Sequence, residues 1–386
     1  MRLTSSIASR TAKVGMLSLV FIFVISSSRA QDTSVLPQLN YLFKAGDHGY
    51  SCFRIPALLH TSKNNLLAFA EARKNGCGDA GDIDLVLRRS GDGGKTWSEL
   101  QVVWSDSTNT CGNPVPVQDA GTGKIWLLTS WNLGTDHEKE IRARTSKEGR
   151  KVFVCASGDE GETWSGPEEI TSLVKNPNWT WYATGPCHGL QLTQGKYKGR
   201  MLVPINHVDF TTGINLAATI YSDDHGKTWQ LGEDVPTQSN ETTIAEIGKG
   251  EIILNARSSD RTIKYRQVTT SPDGGKTWMN MHSDSTLIEP ICQGSLLSYK
   301  LSSKKSVLLF SNPASQTTRS NLTLRFSLDN GRSWAGSKTV FAGPSAYSDI
   351  AVNKCKQVSC LYEAGKLKPY EGIAFTTIGI DQLLKP

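Results

Sequence analysis

The stretch Gly78-Asp-Ala-Gly-Asp-Ile-Asp84 crowds three carboxylates, Asp79, Asp82 and Asp84, into a glycine-rich segment. Carboxylates on such a loop have the chemistry to pass protons to and from a reacting group. Three arginines stand in short motifs far apart in the chain: Arg54 in Phe-Arg-Ile-Pro, Arg257 in Leu-Asn-Ala-Arg and Arg319 in Thr-Thr-Arg-Ser-Asn. A guanidinium stays charged and offers paired donors that match a carboxylate. Any one of them taken alone reads as a solvated salt-bridge partner. None of the eight cysteines, at 52, 77, 111, 155, 187, 292, 355 and 360, sits in a CxxC or a Cys/His cluster with zinc spacing, so no structural zinc is expected. Cys355 and Cys360 flank a short polar segment and are the first disulfide pair expected; the others cannot be paired from sequence.

The elements that would position these groups follow from an internal repeat. The pattern Ser-x-Asp-x-Gly-x-Thr/Ser-Trp begins at Ser90, Ser157, Ser222, Ser271 and Ser327. Successive starts are 67, 65, 49 and 56 residues apart, a spacing that suits one four-stranded sheet per repeat and hence an all-β propeller. A strand-like run precedes each copy, at residues 83–87, 151–156, 217–221, 264–269 and 322–326. The box reads as a hairpin turn: its Asp accepts bonds from turn amides, its Gly takes φ > 0 and its Trp packs between sheets. That turn chemistry accounts for the five Asp residues without any catalytic role. No stretch shows helical periodicity.

Residues 1–30 read as a cleaved signal peptide, with Arg2, Arg10 and Lys13 before the apolar run Val14 to Ile25 and a small-residue exit at Ser28-Arg29-Ala30. The apolar run falls short of the roughly 20 residues of a membrane span, although a retained signal anchor is the alternative. The chain as a whole carries +6; without the four basic residues of this segment, 38 basic face 36 acidic residues. A nearly balanced mature chain argues against nucleic acid or a membrane surface as partner. Sequons at Asn178, Asn240 and Asn321 fit the secretory route, in the extracellular space or the lysosome. Residues 31–386 are expected to form a single domain.

Phe53-Arg-Ile-Pro56, the five boxes and the order of the remaining motifs resemble the Asp-box sialidases, from about Tyr50 to about Ile378. The resemblance implies a six-bladed β-propeller and an exo-α-sialidase that releases terminal sialic acid from glycoproteins, gangliosides and oligosaccharides by retaining hydrolysis. It also implies roles. Arg54, Arg257 and Arg319 would bind the sugar carboxylate, with Glu363 bracing Arg54; Arg325 is the rival to Arg319 and reads as structural. Tyr347 in Ala-Tyr-Ser-Asp would be the nucleophile, because a neutral phenol avoids the repulsion that a carboxylate would meet from the substrate's own charge. Glu241 would be its base, with Glu246 as competitor. Asp79 would be the acid/base, with Asp82 the alternative and Asp84 structural. Glu71 and Arg73 would meet the 4-hydroxyl, and Gln293 and Asn206 the glycerol tail, where Asn206 departs from the tyrosine of some animal cytosolic sialidases. Trp131 would line the N-acetyl pocket or belong to the core. No metal or organic cofactor is required. Asn240 and Asn321 lie beside site residues, which argues against their glycosylation. The chain ends at Pro386, soon after the last expected blade, so an added lectin domain is not expected and hydrolysis is favoured over transfer to an acceptor. A non-catalytic glycan-binding propeller would have no reason to keep the tyrosine, glutamate and arginines together.

Overall fold

The computed structural model describes residues 38–303 and 305–385, together with Met1. The segment read as a signal peptide, residues 1–30, lies outside the described residues. The described residues from 38 onward fall in a single compact unit. It is all-β, with four antiparallel sheets and three helices of four or five residues among the described residues.

The strands follow one another as meanders. The first four-stranded run is Cys52–His60, Leu66–Arg73, Ile83–Ser90 and Gln101–Trp104. A second, Thr110–Gln118, Ile125–Asn132, Lys151–Ser157 and Glu168–Glu169, joins it through one parallel bridge between Ile83 and Thr110. Trp179–Thr184, Met201–Asp209, Asn215–Ser222 and Gln230–Leu231 form a separate sheet, and Ser239–Glu246, Ile252–Ser258, Tyr265–Ser271 and Met279–Ile288 another. In the remaining sheet the long strand Gly336–Val352 pairs with Ser320–Ser327 through its first half and with Gln357–Ala364 through its second. The first strand of the unit, Tyr41–Lys44, is the outer partner of the last, Gly372–Gly379. Chain start and chain end therefore share one sheet.

Each of the five boxes begins on the last residue of a strand. In the first, Asp92 accepts the Lys95 and Thr96 amides at 3.0 Å and the Thr96 hydroxyl at 2.6 Å, while Ser90 Oγ takes the Gly94 amide at 2.8 Å. Gly94 has φ +89°, and a Cβ there would lie 2.3 Å from the Phe375 ring, so glycine is required by both conformation and space. The box tryptophan covers the adjoining sheet, Trp97 meeting Phe375 edge-on at 5.0 Å.

Two cysteine readings need correction. Cys355 and Cys360 are not paired: Cys360 lies in Gln357–Ala364 with its side chain buried in the apolar core, whereas Cys355 is exposed. The disulfide joins Cys52 to Cys77, 25 residues apart, closing a loop worth roughly 3 kcal/mol in the chain-entropy picture.

A buried carboxylate, Asp349, ties the inner strands together. It accepts the Leu58 amide at 2.8 Å, the Ser295 hydroxyl at 2.6 Å and His188 Nδ1 at 2.7 Å, three elements distant in sequence. Burial opposes the charged imidazole, but Asp349 outweighs it and raises the His188 pKa above its ordinary 6.5. A raised folded pKa contributes stability that is complete below 6.5 and is lost as pH rises through the raised value. The melting temperature of His188→Gln should therefore fall furthest below wild type under pH 6.5, and the gap should narrow in a melting series carried into alkaline buffer.

Candidate active site

One cavity of about 380 Å³ gathers residues from across the chain. Arg54, Glu71, Arg73, Asp79, Asn206, Glu241, Arg257, Arg319 and Tyr347 all line it. Apart from Asp79 and Arg319, which sit in loops beside strands, they come from the strands themselves.

Breaks in strand register aim several of them inward. The pairing slips between Arg54 and Ala57, between Ser239 and Thr242 around Glu241, and between Ser345 and Ser348 around Tyr347. A bulge redirects a side chain that regular pleating would send elsewhere. At the first of these, Ile55 has φ +57°, a costly conformation for a β-branched residue. Its amide is held at 3.0 Å by Glu363 Oε1.

Fully buried Glu363 also accepts Arg54 Nε at 3.0 Å and the Tyr347 amide at 3.2 Å. It stands behind Arg54 rather than on the cavity wall. Arg257 donates to Glu241 at 2.6 Å and to the Tyr347 hydroxyl at 3.2 Å, and that hydroxyl donates to Glu241 Oε1. The guanidiniums of Arg54 and Arg319 face the Tyr347 ring at 4.9 and 5.5 Å. Burial foremost, then the neighbouring Glu241, pushes the Tyr347 pKa well up, against the pull of the three guanidiniums. The phenol keeps its proton, which it directs at Glu241.

Asp79 is exposed on its loop, 2.8 Å from Arg73 and 3.6 Å from Arg54. Though its side chain is open to solvent, the protein packed around it works to raise its pKa, but Arg73 and then Arg54 outweigh that and hold it below the usual carboxylate range. Arg73 is itself held by Glu71, through Nε at 2.9 Å.

The rival residues lie elsewhere. Asp82 pairs with Lys74 at 3.0 Å, and Asp84 accepts the Tyr50 hydroxyl at 2.7 Å. Glu246 caps a turn through the Thr193 and Gln194 amides, and Arg325 donates to Asn312 in the interior. Trp131 belongs to an apolar cluster and donates to Asp106. Gln293 is not on the cavity wall; its amide is consumed by the Ser348 backbone, 3.0 Å in each direction. Among the sequons, Asn178 binds Asp209, Asn321 binds the Ala314 carbonyl, and Asn240 lines the cavity, where a glycan would fill it.

Four cavity neighbours escaped the sequence reading. The Tyr370 hydroxyl accepts from Arg319 at 2.7 Å, and its ring lies 4.4 Å from the Arg54 guanidinium. Asn113 sits in a bulge with φ +54°, its amide on Glu71 at 2.7 Å. Trp181 lies in another bulge and stacks under Arg150 at 3.9 Å. Burial lowers the Arg150 pKa to about 10, and its partners are the amide oxygens of Asn132 and Asn113. No motif surrounds any of the four; the register breaks that aim Asn113 and Trp181 leave no mark in composition or periodicity. Among the described residues no group of three or more His, Cys, Asp or Glu is placed to hold a metal ion.

Comparison with known proteins places this geometry. The family described as a BNR repeat-like domain matches residues 64–360. Sialidase-2 of Cricetulus griseus is 30% identical over 376 residues, covering 89% of this chain and 96% of that protein. The chain belongs to the sialidase family. A Bacteroides fragilis sialidase is 31% identical over 340 residues, covering 83% of this chain. The chain spans 61% of the length of that sialidase and 51% of the Micromonospora viridifaciens sialidase. Among solved structures, the Hadza microbial sialidase Hz136 superposes with a TM-score of 0.81 at 30% identity, covering 89% of this chain and 69% of that one.

In this member of the sialidase family the Arg54–Glu363 pair gives a direct test of how the pocket is braced. Removing one partner of a buried ion pair leaves the other uncompensated. Glu363→Ala should lower stability in urea unfolding by about 3–5 kcal/mol, whereas an unchanged midpoint would mean that Arg54 needs no brace.

Proposed function

We propose that this protein is an exo-α-sialidase that removes terminal α-linked sialic acid from glycoproteins, gangliosides and oligosaccharides with retention of configuration. The observation that carries the reading is the Tyr347 hydroxyl set between Glu241 and Arg257 in a pocket that Arg54, Arg257 and Arg319 share.

The chemistry follows from those positions. The three guanidiniums hold the sugar carboxylate through paired donors. Asp79 gives a proton to the departing glycosidic oxygen. In the empty pocket it is ionised beside Arg73 and Arg54, and a carboxylate bound to Arg54 weakens that hold and lets the proton return. Glu241 takes the phenolic proton as the Tyr347 oxygen bonds to the anomeric carbon, and the aglycone bond breaks. Water, losing its proton to Asp79, then attacks the same carbon, the bond to the Tyr347 oxygen breaks, and that oxygen takes its proton back from Glu241. Glu71 and Arg73 bind a ring hydroxyl and Asn206 meets the glycerol tail, while Gln293, off the cavity wall, fixes the Ser348 backbone beside Tyr347.

We read the architecture as a six-bladed β-propeller. Dividing the long strand Gly336–Val352 at its change of partner, and the first sheet at its single parallel bridge, leaves six antiparallel groups, five of four strands and one in which the short strand Leu190–Gln191 adds a fifth. Six apolar clusters each join one group to the next, and one of them joins the last group to the first through Phe43, Ala351 and Phe375 against Phe53, Leu58 and Val86. A retained or cleaved segment at residues 1–30 would direct this domain, residues 31–386, into the secretory route. No described helix is long and apolar enough to cross a membrane.

Fluorophore release from an aryl α-sialoside, scanned from acid to neutral pH, tests the activity. Release should fall on the order of 10³-fold or more in Tyr347→Phe and about 10²–10⁴-fold in Glu241→Gln. Near-wild-type rates in Tyr347→Phe or Arg319→Ala would overturn the assignment. A folded protein that binds sialosides and releases nothing would be a binding propeller, and products appearing on an added acceptor would mark a transferase.

A further inference from the structure

We infer that the Cys52–Cys77 disulfide is a positioning element for Asp79, holding that carboxylate where it can donate its proton to the leaving oxygen. The inference rests on the role proposed for Asp79. The two cysteines bracket the chemistry at both ends: Cys52 stands two residues before Arg54, and Cys77 two residues before Asp79. Cys52 is fully buried and is the register partner of Arg73 at the edge of the first sheet, so its sulfur is anchored in rigid structure.

The base of the loop is closed by the Lys74 amide on the Asp82 carbonyl and by the Lys74–Asp82 ion pair, each at 3.0 Å, but the stretch that carries Asp79 has little else to hold it. Between Arg73 and Ile83 no side chain is buried, and the segment contains three glycines, two of them, Gly76 and Gly81, at φ +116° and +135°. Such a segment samples many conformations unless it is fastened. Its far end is fastened by Thr110, whose hydroxyl bonds the Gly81 amide and carbonyl at 3.0 Å each. Its middle is fastened by the disulfide and by one guanidinium. Arg73 Nη1 collects the Cys77 carbonyl at 2.6 Å, the Gly78 carbonyl at 2.8 Å and Asp79 Oδ1 at 2.8 Å. The disulfide brings the Cys77 and Gly78 carbonyls to Arg73, and Asp79 follows. A substrate carboxylate and hydroxyl compete for Arg54 and Arg73 when they bind, which leaves the covalent tie as the constraint that does not depend on those charges.

A fold-stabilising cross-link and a positioning one differ in a measurable way. Proton donation matters greatly for a sugar alkoxide and little for an acidic phenol that departs unaided. Cys52→Ala/Cys77→Ala should lower kcat/KM on sialyl-lactose by about tenfold or more, yet change it by less than about threefold on a nitrophenyl α-sialoside. KM on the aryl substrate should hold, since the three carboxylate-binding arginines remain. Treating the folded wild type with a phosphine reductant should reproduce the pattern, with fold retention checked by tryptophan fluorescence, and this serves if the double variant does not fold. Asp79→Asn with the disulfide intact sets the reference. If Asp79→Asn shows no leaving-group dependence, the role proposed for Asp79 fails. If it does, and breaking the disulfide affects both substrates equally or neither, the positioning inference fails.

Discussion

The structure has to bury several positive charges around one small cavity and keep them there. Arg54, Arg73, Arg150, Arg257 and Arg319 line the same pocket, and like charges this close disfavour one another when water is scarce. Each of the strongly held guanidiniums is answered by a carboxylate: Arg54 by Glu363 from the far end of the chain, Arg257 by Glu241 on the neighbouring strand, and Arg73 by Glu71 and Asp79 close by in sequence. Arg319 is turned instead toward the Tyr370 hydroxyl and the Ile291 carbonyl. The Arg54–Glu363 pair spans 309 residues, so that part of the charge balance exists only once the sheets have assembled.

That requirement explains why the inner strands are irregular. A pleated strand alternates its side chains, and an unbroken ladder would place a catalytic side chain on the same footing as its packing neighbours. At Arg54, Asn113, Trp181, Glu241 and Tyr347 the register breaks, and each break delivers one side chain to the cavity. The cost, as at Ile55, is borne by buried acceptors such as Glu363, which satisfy the amides that the bulge releases. Away from the cavity the boxes do the opposite work: they make the outer turns regular, with the same serine, aspartate and glycine bonds repeated from Ser90 to Ser327.

The repeat was legible in the sequence because the box is local. Serine, aspartate, glycine and tryptophan act within eight residues of one another, and the strand before each box alternates or runs apolar as sheet burial demands. The motif residues of the site were legible for a different reason, since Arg54, Arg257, Arg319, Glu241 and Tyr347 stand in short signatures that resemble a family. Arg150, Trp181, Asn113 and Tyr370 carry no such signature. Arg150 is one of many arginines, and only the packing against Trp181 sets it apart.

The cysteines mark the boundary between the two kinds of information. Proximity in sequence favoured Cys355 with Cys360, but Cys355 lies in the exposed turn before Gln357–Ala364, whereas Cys360 sits inside that strand and faces the core. The pair that forms, Cys52 with Cys77, needed a strand and a returning loop to bring it together. The choice of Asp79 over Asp82, and of Glu241 over Glu246, has the same character: the types are identical and the spacing is close, while only one of each pair faces the cavity. By itself the sequence determined the repeating unit, the turn chemistry and the charge inventory, all of which depend on neighbours within a few residues. Which charges meet, which strand bulges and which carboxylate faces the cavity were decided by tertiary structure, because each depends on groups that folding alone makes adjacent.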